Sequence, residues 1–363
     1  MKLILLAILA LPASALAQVR GEFLISNYGA KGDGSFDNAP IINSLVNGLP
    51  ASGGTIVIPH GDFRINSAII VTKNYVTIRG LGRGSKLIVG TGVHEGIVVT
   101  SGTPRLSGLT VRDLRIDGAD ASVPQTGILV DRANDGTHLN NVTCTNLKTG
   151  VFLRESDAGR VVNCYLAQCE SALHMLGGLN GVVARNQFGG YSGGVAVDLE
   201  GLNRVQFTGN VIMPDGYTSL WIRGSDNCNI SGNIITTWYA GCIEVQGNMN
   251  SITGNNISAV LVNGNWLADP RGRDSLYGLI RIAGNDNVCA TNTIMSWQPV
   301  NDIRVNVLSG DRTTLRDLTI AANASDKRIN IYPATTAARI THCGYASEIQ
   351  LNGNASARVA YDP

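Results

Sequence analysis

Acidic, basic and aromatic side chains recur at one position of a repeated strand in the middle of the chain. The copies read GVFLRES, SALHMLG, GVAVDLEG, SLWIRG, GCIEVQG and GLIRIAG. Successive side chains of a β-strand point to opposite faces, so an apolar set that faces the core leaves a polar set facing outward. The predicted outward set is Arg154, His174, Asp198, Glu200, Trp221, Arg223, Glu244, Gln246 and Arg281.

These residue types and spacings suit acid–base chemistry on a glycosidic bond, which uses a pair of carboxyl groups. Asp198 and Glu244 are expected two strands apart, about 9–10 Å between backbones, and Asp198 and Glu200 about 6.5–7 Å apart on one strand. His174 is expected one strand from Asp198 and can serve as acid or base. We therefore predict Asp198, Glu200, Glu244 and His174 as catalytic residues.

The remaining outward residues are predicted to contact substrate. The indole of Trp221 offers a face on which a sugar can stack. Arg154, Arg223, Gln246 and Arg281 supply hydrogen-bond donors. The alternative interpretation is a solvated face with charges of both signs and no catalytic role.

A short phrase centred on asparagine sets the spacing of these strands. It recurs at Asn163, Asn186, Asn210, Asn233, Asn255 and Asn292. Repeats of this length, built from short β-branched runs broken by Gly and Asn, predict stacked coils of a parallel β-helix. The asparagines themselves are expected to be structural, bonding one another at one corner of the coils. About 14 extra residues precede Asn292 and predict an inserted loop over residues 259–277, in which Trp266 and Asp274 are candidate substrate contacts.

Length, charge and composition narrow the function further. The chain has 363 residues, a net charge of +1 and 15% charged residues, without the basic clusters of a nucleic-acid-binding protein. Residues 1–17 read as a signal peptide cleaved before Gln18, and no later segment is apolar enough to span a membrane, so we expect a secreted or periplasmic protein. Residues 18–363 are predicted to form one β-helix domain. The seven cysteines have no metal-site spacing and are expected to be buried as small hydrophobic residues.

The amino-terminal region resembles a known superfamily. The sequence YGAKGDGSFDNAPI, followed by ASGGTIVIPHGDFRI, is similar to the start of pectate-lyase-like right-handed β-helix proteins. The resemblance implies an all-β, right-handed parallel β-helix (a solenoid) whose first coil is covered by a short capping helix. We place that helix at Asn38 to Asn47, with Asp37 as its cap and with Ile41, Ile42 and Leu45 as its buried stripe.

A narrower resemblance is to the inulin fructotransferases and difructose-anhydride hydrolases. The segments that support it are PRLSGLTVRDLRIDG, TGILV, NCYLAQCESAL and RGRDSLYGLIRIAGNDN. It implies a homotrimer with active sites between subunits, acting on fructan ends or difructose anhydrides without a cofactor. The family's catalytic Asp and Glu align with Asn163 and His174, whereas Glu200 falls on an acidic family position. The resemblance therefore implies the same architecture with a shifted substrate or mechanism.

The leading hypothesis is a secreted carbohydrate-active enzyme that cleaves or intramolecularly transfers a glycosidic bond of a fructan-like oligosaccharide. One alternative is a polysaccharide lyase acting on uronate-containing glycans, which needs a base and a positive charge beside the substrate carboxylate. A second alternative is a non-catalytic glycan-binding solenoid. No cofactor, metal, nucleic-acid partner or membrane partner is expected.

Overall fold

The described residues fold into a parallel β-helix, as predicted. The computed structural model describes residues 21–100, 102–119, 124–190, 194–213, 217–239, 241–259 and 279–296, followed by the backbone of six short strands between 302 and 351. Within these residues 33 strands pair in parallel. The pairings define three sheets, A, B and C, because each coil contributes one strand to each.

Sheet A begins beside the capping helix and extends to the last described coils. Strands β8 and β10 bend at a corner, so their first halves belong to sheet A and their second halves to sheet B. The strands of sheet A are β1 (Glu22–Leu24), β2 (Gly54–Val57), β5 (Val76–Arg79), β8 (Thr110–Gly118), β10 (His138–Thr145), β12 (Arg160–Val162), β14 (Val182–Ala184), β17 (Gln206–Thr208), β20 (Asn229–Ser231), β23 (Ser251–Thr253), β26 (Val288–Ala290), β29 (Thr313–Arg316) and β32 (Ala338–Thr341).

Sheet B follows sheet A in each coil. Strand β13 starts in sheet B and ends in sheet C. Besides the second halves of β8 and β10, the strands of sheet B are β3 (Gly61–Ile65), β6 (Ser85–Val89), β13 (Tyr165–Leu176), β15 (Gln187–Gly190), β18 (Val211–Met213), β21 (Ile234–Thr237), β24 (Asn256–Ala259), β27 (Thr293–Ser296) and β30 (Thr319–Ala321).

Sheet C contains the repeated strand that bears the predicted site. Its strands, with the end of β13, are β4 (Ile69–Val71), β7 (Glu95–Thr100), β9 (Thr126–Asp131), β11 (Leu147–Arg154), β16 (Val195–Glu200), β19 (Thr218–Arg223), β22 (Ile243–Gln246), β25 (Ile280–Ala283), β28 (Asp302–Val305), β31 (Arg328–Ile331) and β33 (Glu348–Leu351). The alternating residues Leu173, Val197, Leu220, Ile243 and Ile280 lie in register and are fully buried. Burial of each such side chain stabilises the fold by about 1.5–3 kcal/mol, which fixes which face of sheet C points outward.

The capping helix α1 spans Ala39–Gly48, one residue later than predicted at each end. The Asp37 carboxylate accepts hydrogen bonds from the backbone N–H groups of Ala39 and Asn66, so it caps the first turn and ties it to the next coil. The buried stripe was predicted only in part, since Ile42 is fully buried but Ile41 and Leu45 are half-buried and Val46 takes their place. A 3-10 helix covers Ile25–Tyr28. Neither of the helices in the described part of the chain has the length and apolarity needed to cross a lipid bilayer.

Asparagine side chains stack at the corner between sheets A and B. Each side-chain oxygen accepts from the backbone N–H of the equivalent residue one coil earlier, and each side-chain nitrogen except that of the last member, Asn292, donates to the asparagine one coil later. The members of this ladder are Asn186, Asn210, Asn233, Asn255 and Asn292. Cys164, not Asn163, holds the equivalent position in the earlier coil, because Tyr165 pairs with Gln187. The structural role predicted for the asparagines is confirmed for the ladder, and Asn163 is one residue out of its register.

Six of the seven cysteines lie within the described residues. All six are buried inside the coils, in agreement with the prediction that they act as small hydrophobic residues. Burial raises the pKa of Cys164, Cys169 and Cys242 to about 12. These thiols are therefore protonated at neutral pH and chemically inert.

Candidate functional site

The outward face of sheet C presents two rows of side chains in strand register. The first row runs from one coil to the next as Ile70, Val98, Leu129, Phe152, His174, Asp198, Trp221, Glu244 and Arg281. The second row runs as Asp131, Arg154, Leu176, Glu200, Arg223 and Gln246. The predicted alignment therefore holds from His174 to Arg281, and its polar part is continuous with an apolar part in earlier coils.

Arg154 does not lie where the repeat predicts it. Its strand partner is Leu176, and Phe152 occupies the position beside His174. The Arg154 Nε atom donates to the Asp131 carboxylate at 2.9 Å, one coil earlier. This hydrogen bond raises the pKa of Arg154 and lowers the pKa of Asp131. The arginine thus belongs to a separate ion pair, with Leu176 between it and Glu200.

Arg223 joins two carboxylates at the centre of the polar face. Its Nε donates to Asp198 Oδ1 at 3.0 Å and its Nη2 to Asp198 Oδ2 at 2.5 Å, so the pair is bidentate. The same Nη2 donates to Glu200 Oε2 at 2.6 Å. The hydrogen bond to Asp198 raises the pKa of Arg223. The guanidinium neutralises one of the two carboxylates and holds both in fixed positions.

His174 lies against this carboxylate pair from the neighbouring coil. Its Nε2 is 3.6 Å from Glu200 Oε2 and 3.9 Å from Asp198 Oδ2, and within the described residues this atom has no hydrogen-bond partner. Its ring stacks on Phe152, with the ring centroids 4.5 Å apart and the planes 4° from parallel. The imidazole is held flat by the phenyl ring, a sub-ångström movement away from a hydrogen bond with Glu200.

Exposure distinguishes the two carboxylates. The side chain of Asp198 is 12% exposed, whereas that of Glu200 is 35% exposed and accepts only one hydrogen bond from Arg223. Glu200 is therefore the carboxylate that a solvent-borne ligand can reach, and Asp198 is the one that anchors the guanidinium. The sequence predicts that His174, Asp198, Glu200 and Arg223 share one face of the sheet. The spacing of these residues does not predict that Arg223 binds both carboxylates.

Trp221 separates this cluster from Glu244. The Arg223 guanidinium lies 4.4 Å from the centre of the indole ring, so one ring face is already covered. Glu244 is 3% exposed, and its Oε1 accepts a hydrogen bond from Thr218 at 2.8 Å. Glu244 was expected on an open face and lies buried instead. Arg281 is the strand partner of Glu244, and Gln246 is exposed beside Arg223 in the second row.

Trp266 and Asp274 fall outside the described residues. The insertion that contains them connects β24 of sheet B to β25 of sheet C. The residue that sequence reasoning missed is Phe152, which supports the His174 ring. The signal was present in the alternation of GVFLRES, where the phenylalanine has the same outward phase as the arginine two residues later.

The two positions that align with the fructotransferase catalytic pair lie apart in this chain. His174 is on sheet C, whereas Asn163 is exposed at the corner between sheets A and B. Asn163 there lines a cavity of about 270 Å³. Its side-chain nitrogen donates to Asn140 at 3.0 Å. These two residues therefore do not form one site within a single chain.

The three-sheeted coil and the outward polar face define a right-handed β-helix protein of the pectate-lyase-like superfamily. Residues 24–112 match the family model described as rhamnogalacturonase A/epimerase, pectate lyase-like. Residues 83–277, more than half of the chain, match the family described as periplasmic copper-binding protein (NosD). The chain belongs to this NosD family.

Two of three individual relatives cover more of the chain than the family model does. The DFA-I-forming inulin fructotransferase of Arthrobacter globiformis is 24% identical over 374 residues, which span 87% of this chain and 92% of that protein. Alginate lyase 7 of Azotobacter vinelandii is 30% identical over 108 residues, which span 27% of this chain and 13% of that protein. The crystal structure of DFA-IIIase from Arthrobacter chlorophenolicus A6 in complex with GF2 superimposes with a TM-score of 0.80 at 17% identity, covering 95% of this chain and 99% of that one. The last similarity establishes the fold over nearly the whole chain.

Proposed function

We propose that the protein is a carbohydrate-active enzyme that breaks or intramolecularly transfers a glycosidic bond in a fructan-like oligosaccharide. The observation that supports this most directly is the cluster of His174, Asp198, Glu200 and Arg223 on the outward face of sheet C. The similarity to an inulin fructotransferase over 87% of the chain supports the substrate class. The sequence similarity covers the coils that hold the cluster but does not assign its residues.

Glu200 and His174 are the proposed proton donor and acceptor. Glu200 is the exposed carboxylate, and His174 Nε2 lies 3.6 Å from it, so a proton can pass between them or to a bound substrate. One of the two groups gives its proton to the leaving glycosidic oxygen. The other accepts a proton from the attacking hydroxyl, which belongs to water in hydrolysis and to the substrate itself in intramolecular transfer. Asp198 holds Arg223 in place, and Arg223 and Trp221 contact the sugar.

Glu244 has a secondary place in this proposal. Its strand is two coils from that of Asp198, and the carboxylate is buried behind Trp221. We assign it to support of the Trp221 side of the site, together with Arg281 and Gln246 as candidate substrate contacts. Trp266 and Asp274 remain candidate contacts from the insertion.

Product analysis with matched variants tests the proposal. The purified protein is incubated with inulin, shorter fructans, difructose anhydrides and uronans, and products are separated by chromatography. We expect turnover of a fructan-type substrate, and a loss of about 100-fold or more in kcat for Glu200→Gln and for His174→Asn. Asp131→Asn is the matched control, because Asp131 also pairs with an arginine on sheet C but has no histidine beside it. Unchanged turnover in folded Glu200→Gln and His174→Asn would refute the assignment.

A copper role is the other function that the family description suggests, and the residues do not fit it. In the described part of the chain, one set of three potential metal ligands has its ligating atoms within 4.8 Å of one another. The three are His174, Asp198 and Glu200. Both carboxylates, however, are already hydrogen-bonded to Arg223. A bound cation would have to displace this guanidinium, and one imidazole without thiolate or thioether ligands is a poor donor set for copper. We derive no step through a metal.

A uronate lyase is the second candidate function. The 30% identity to alginate lyase 7 over 108 residues favours it. In this reaction a base removes the proton next to the carboxyl group, the bond from the neighbouring carbon to the glycosidic oxygen breaks, and that oxygen leaves with the other part of the glycan and takes up a proton. The product contains a new double bond. Ultraviolet absorbance during incubation with alginate or pectate would reveal that product. Its appearance, without products from fructans, would replace the leading proposal.

A further inference from the structure

One corner of the β-helix adopts the left-handed conformation in successive coils. The residue just before the asparagine ladder position has φ between 53° and 65° in every coil from Asn141 to Thr291. The residues at this position are Asn141, Asn163, Arg185, Gly209, Gly232, Gly254 and Thr291. Glycine adopts this conformation without steric cost, and asparagine is the residue that tolerates it next best.

Arg185 and Thr291 are the exceptions in this series, and of the two only Arg185 carries a charge. A long side chain at φ 57° is sterically strained relative to glycine, and the next three coils hold glycine. Arg185 takes part in no ion pair or side-chain hydrogen bond within the described residues, so the structure offers no internal compensation for that strain. Arg204 is strained in the same way at φ 60°, so what distinguishes Arg185 is its place beside a second arginine.

A second arginine reaches the same place from an earlier coil. Arg83 lies in the turn between β5 and β6, and its guanidinium lies over the ring of Tyr165 at 4.8 Å. Its Nε donates to Thr143 Oγ1 at 3.1 Å. These two contacts fix the plane of the guanidinium, and no carboxylate of the described residues pairs with it. Arg83 is thus a pre-positioned positive charge.

The two arginines line the cavity of about 270 Å³ at this corner, which we call the corner pocket. Side-chain amides and a phenol provide further polar groups. Its polar side chains include Arg83, Asn141, Asn163, Tyr165, Arg185 and Gln187. None of the residues that line it is acidic. Asp113 accepts a hydrogen bond from the pocket residue Asn141, and its charge is paired with Arg112.

We propose that the corner pocket binds an acidic sugar residue of a glycan, with the sugar carboxylate held by Arg83 and Arg185. Guanidinium groups are suited to carboxylates because they donate parallel hydrogen bonds. Asn141, Asn163 and Gln187 supply amide donors and acceptors for the sugar hydroxyls. The volume, at the lower limit of ligand pockets, suits a single sugar residue. The pocket lies on a different corner from the His174 cluster, so the proposal does not rest on the catalytic assignment.

The test compares Arg185→Gly with Arg204→Gly by titration calorimetry. Arg185→Gly restores the residue found in the following coils and is expected to fold at least as well as the native protein. Arg204 is the matched control, because it is exposed, has φ 60°, and forms no ion pair in the described residues, but lies outside the pocket. The ligands are a short oligogalacturonate, a neutral oligosaccharide of equal length that is not a fructan, and sulfate.

We expect the native protein and Arg204→Gly to bind the oligogalacturonate equally, more weakly as salt rises, and without measurable binding of the neutral oligosaccharide. Arg185→Gly should lose about 10-fold or more in affinity, since a hydrogen bond to a charged group is removed. Glu200→Gln should bind as the native protein does. Equal binding by Arg185→Gly and Arg204→Gly, no binding by the native protein, or binding of sulfate as tight as that of the oligouronate would each overturn the proposal.

Discussion

Removal of one ladder asparagine tests the physical account of the fold most directly. Asn210 is 1% exposed, and its side chain makes four hydrogen bonds. Its Oδ1 accepts from the backbone and side-chain nitrogens of Asn186, and its Nδ2 donates to the Val183 carbonyl and to Asn233 Oδ1. Asn210→Ala deletes all four without changing the backbone.

The expected loss follows from which partners remain bonded. The backbone N–H of Asn186 is left buried without an acceptor, which costs about 1–3 kcal/mol. The Asn186 amide keeps its bond to Val161, and Asn233 Oδ1 keeps the backbone N–H of residue 210, so these losses are smaller, at about 0.5–1 kcal/mol each. We therefore expect Asn210→Ala to lower the free energy of unfolding by about 2–5 kcal/mol.

Denaturant unfolding followed by circular dichroism measures this loss. The matched control is Asn229→Ala, because Asn229 makes a single exposed side-chain bond, to Gln206 on the outer face of sheet A. That change should cost less than about 1 kcal/mol. If Asn210→Ala cost no more than Asn229→Ala, the ladder would not stabilise the coils and the reasoning would be wrong.

Three further predictions concern titration and reactivity. At pH 8 a thiol reagent should label at most one of the seven cysteines quickly, and all seven in denaturant. The reason is that six are buried and that the pKa of Cys164, Cys169 and Cys242 is raised to about 12. Fast labelling of two or more cysteines in the native protein would contradict the burial. Arg154 lowers the pKa of Asp131, so this carboxylate stabilises the fold above its unfolded pKa of about 3.9 and ceases to do so as pH falls through its lower folded value. The difference in melting temperature between the native protein and Asp131→Asn should therefore shrink as pH falls below about 4. Burial and Arg160 lower the pKa of His138, so the native protein should lose stability as pH falls below about 6.5, towards the lowered pKa. His138→Gln should remove that loss. Thermal melts recorded between pH 7 and 5 measure it.

The sequence is sufficient for the fold because its signals are periodic. Strand alternation and the asparagine spacing together predict which side chains of sheet C face outward, and the register agrees from His174 to Arg281. The prediction fails at Arg154 because Phe152 and Arg154 have the same outward phase in GVFLRES. Alternation alone does not select which of the two lies beside His174, and in the structure it is Phe152.

The contacts within the site could not be predicted for a different reason. Period and alternation give the position of a Cα atom, whereas the fork of Arg223 depends on which of several rotamers the side chain adopts. The burial of Glu244 likewise depends on how the neighbouring side chains pack, which period and alternation do not give. The corner pocket was missed because Arg83 and Tyr165 are distant in sequence and meet only through the stacking of coils. Such contacts require the coordinates.

The register of sheet C means that spacing between functional groups can change only in whole steps. Neighbouring strands lie about 4.8 Å apart, so any two residues of one row are separated by an integer multiple of that length. Asp198 and Glu244 are two steps apart, with Trp221 on the step between. Loss or duplication of one coil would change this separation by a single step while leaving every buried row continuous. A solenoid of this kind can therefore change the length of substrate that it spans without redesign of its core.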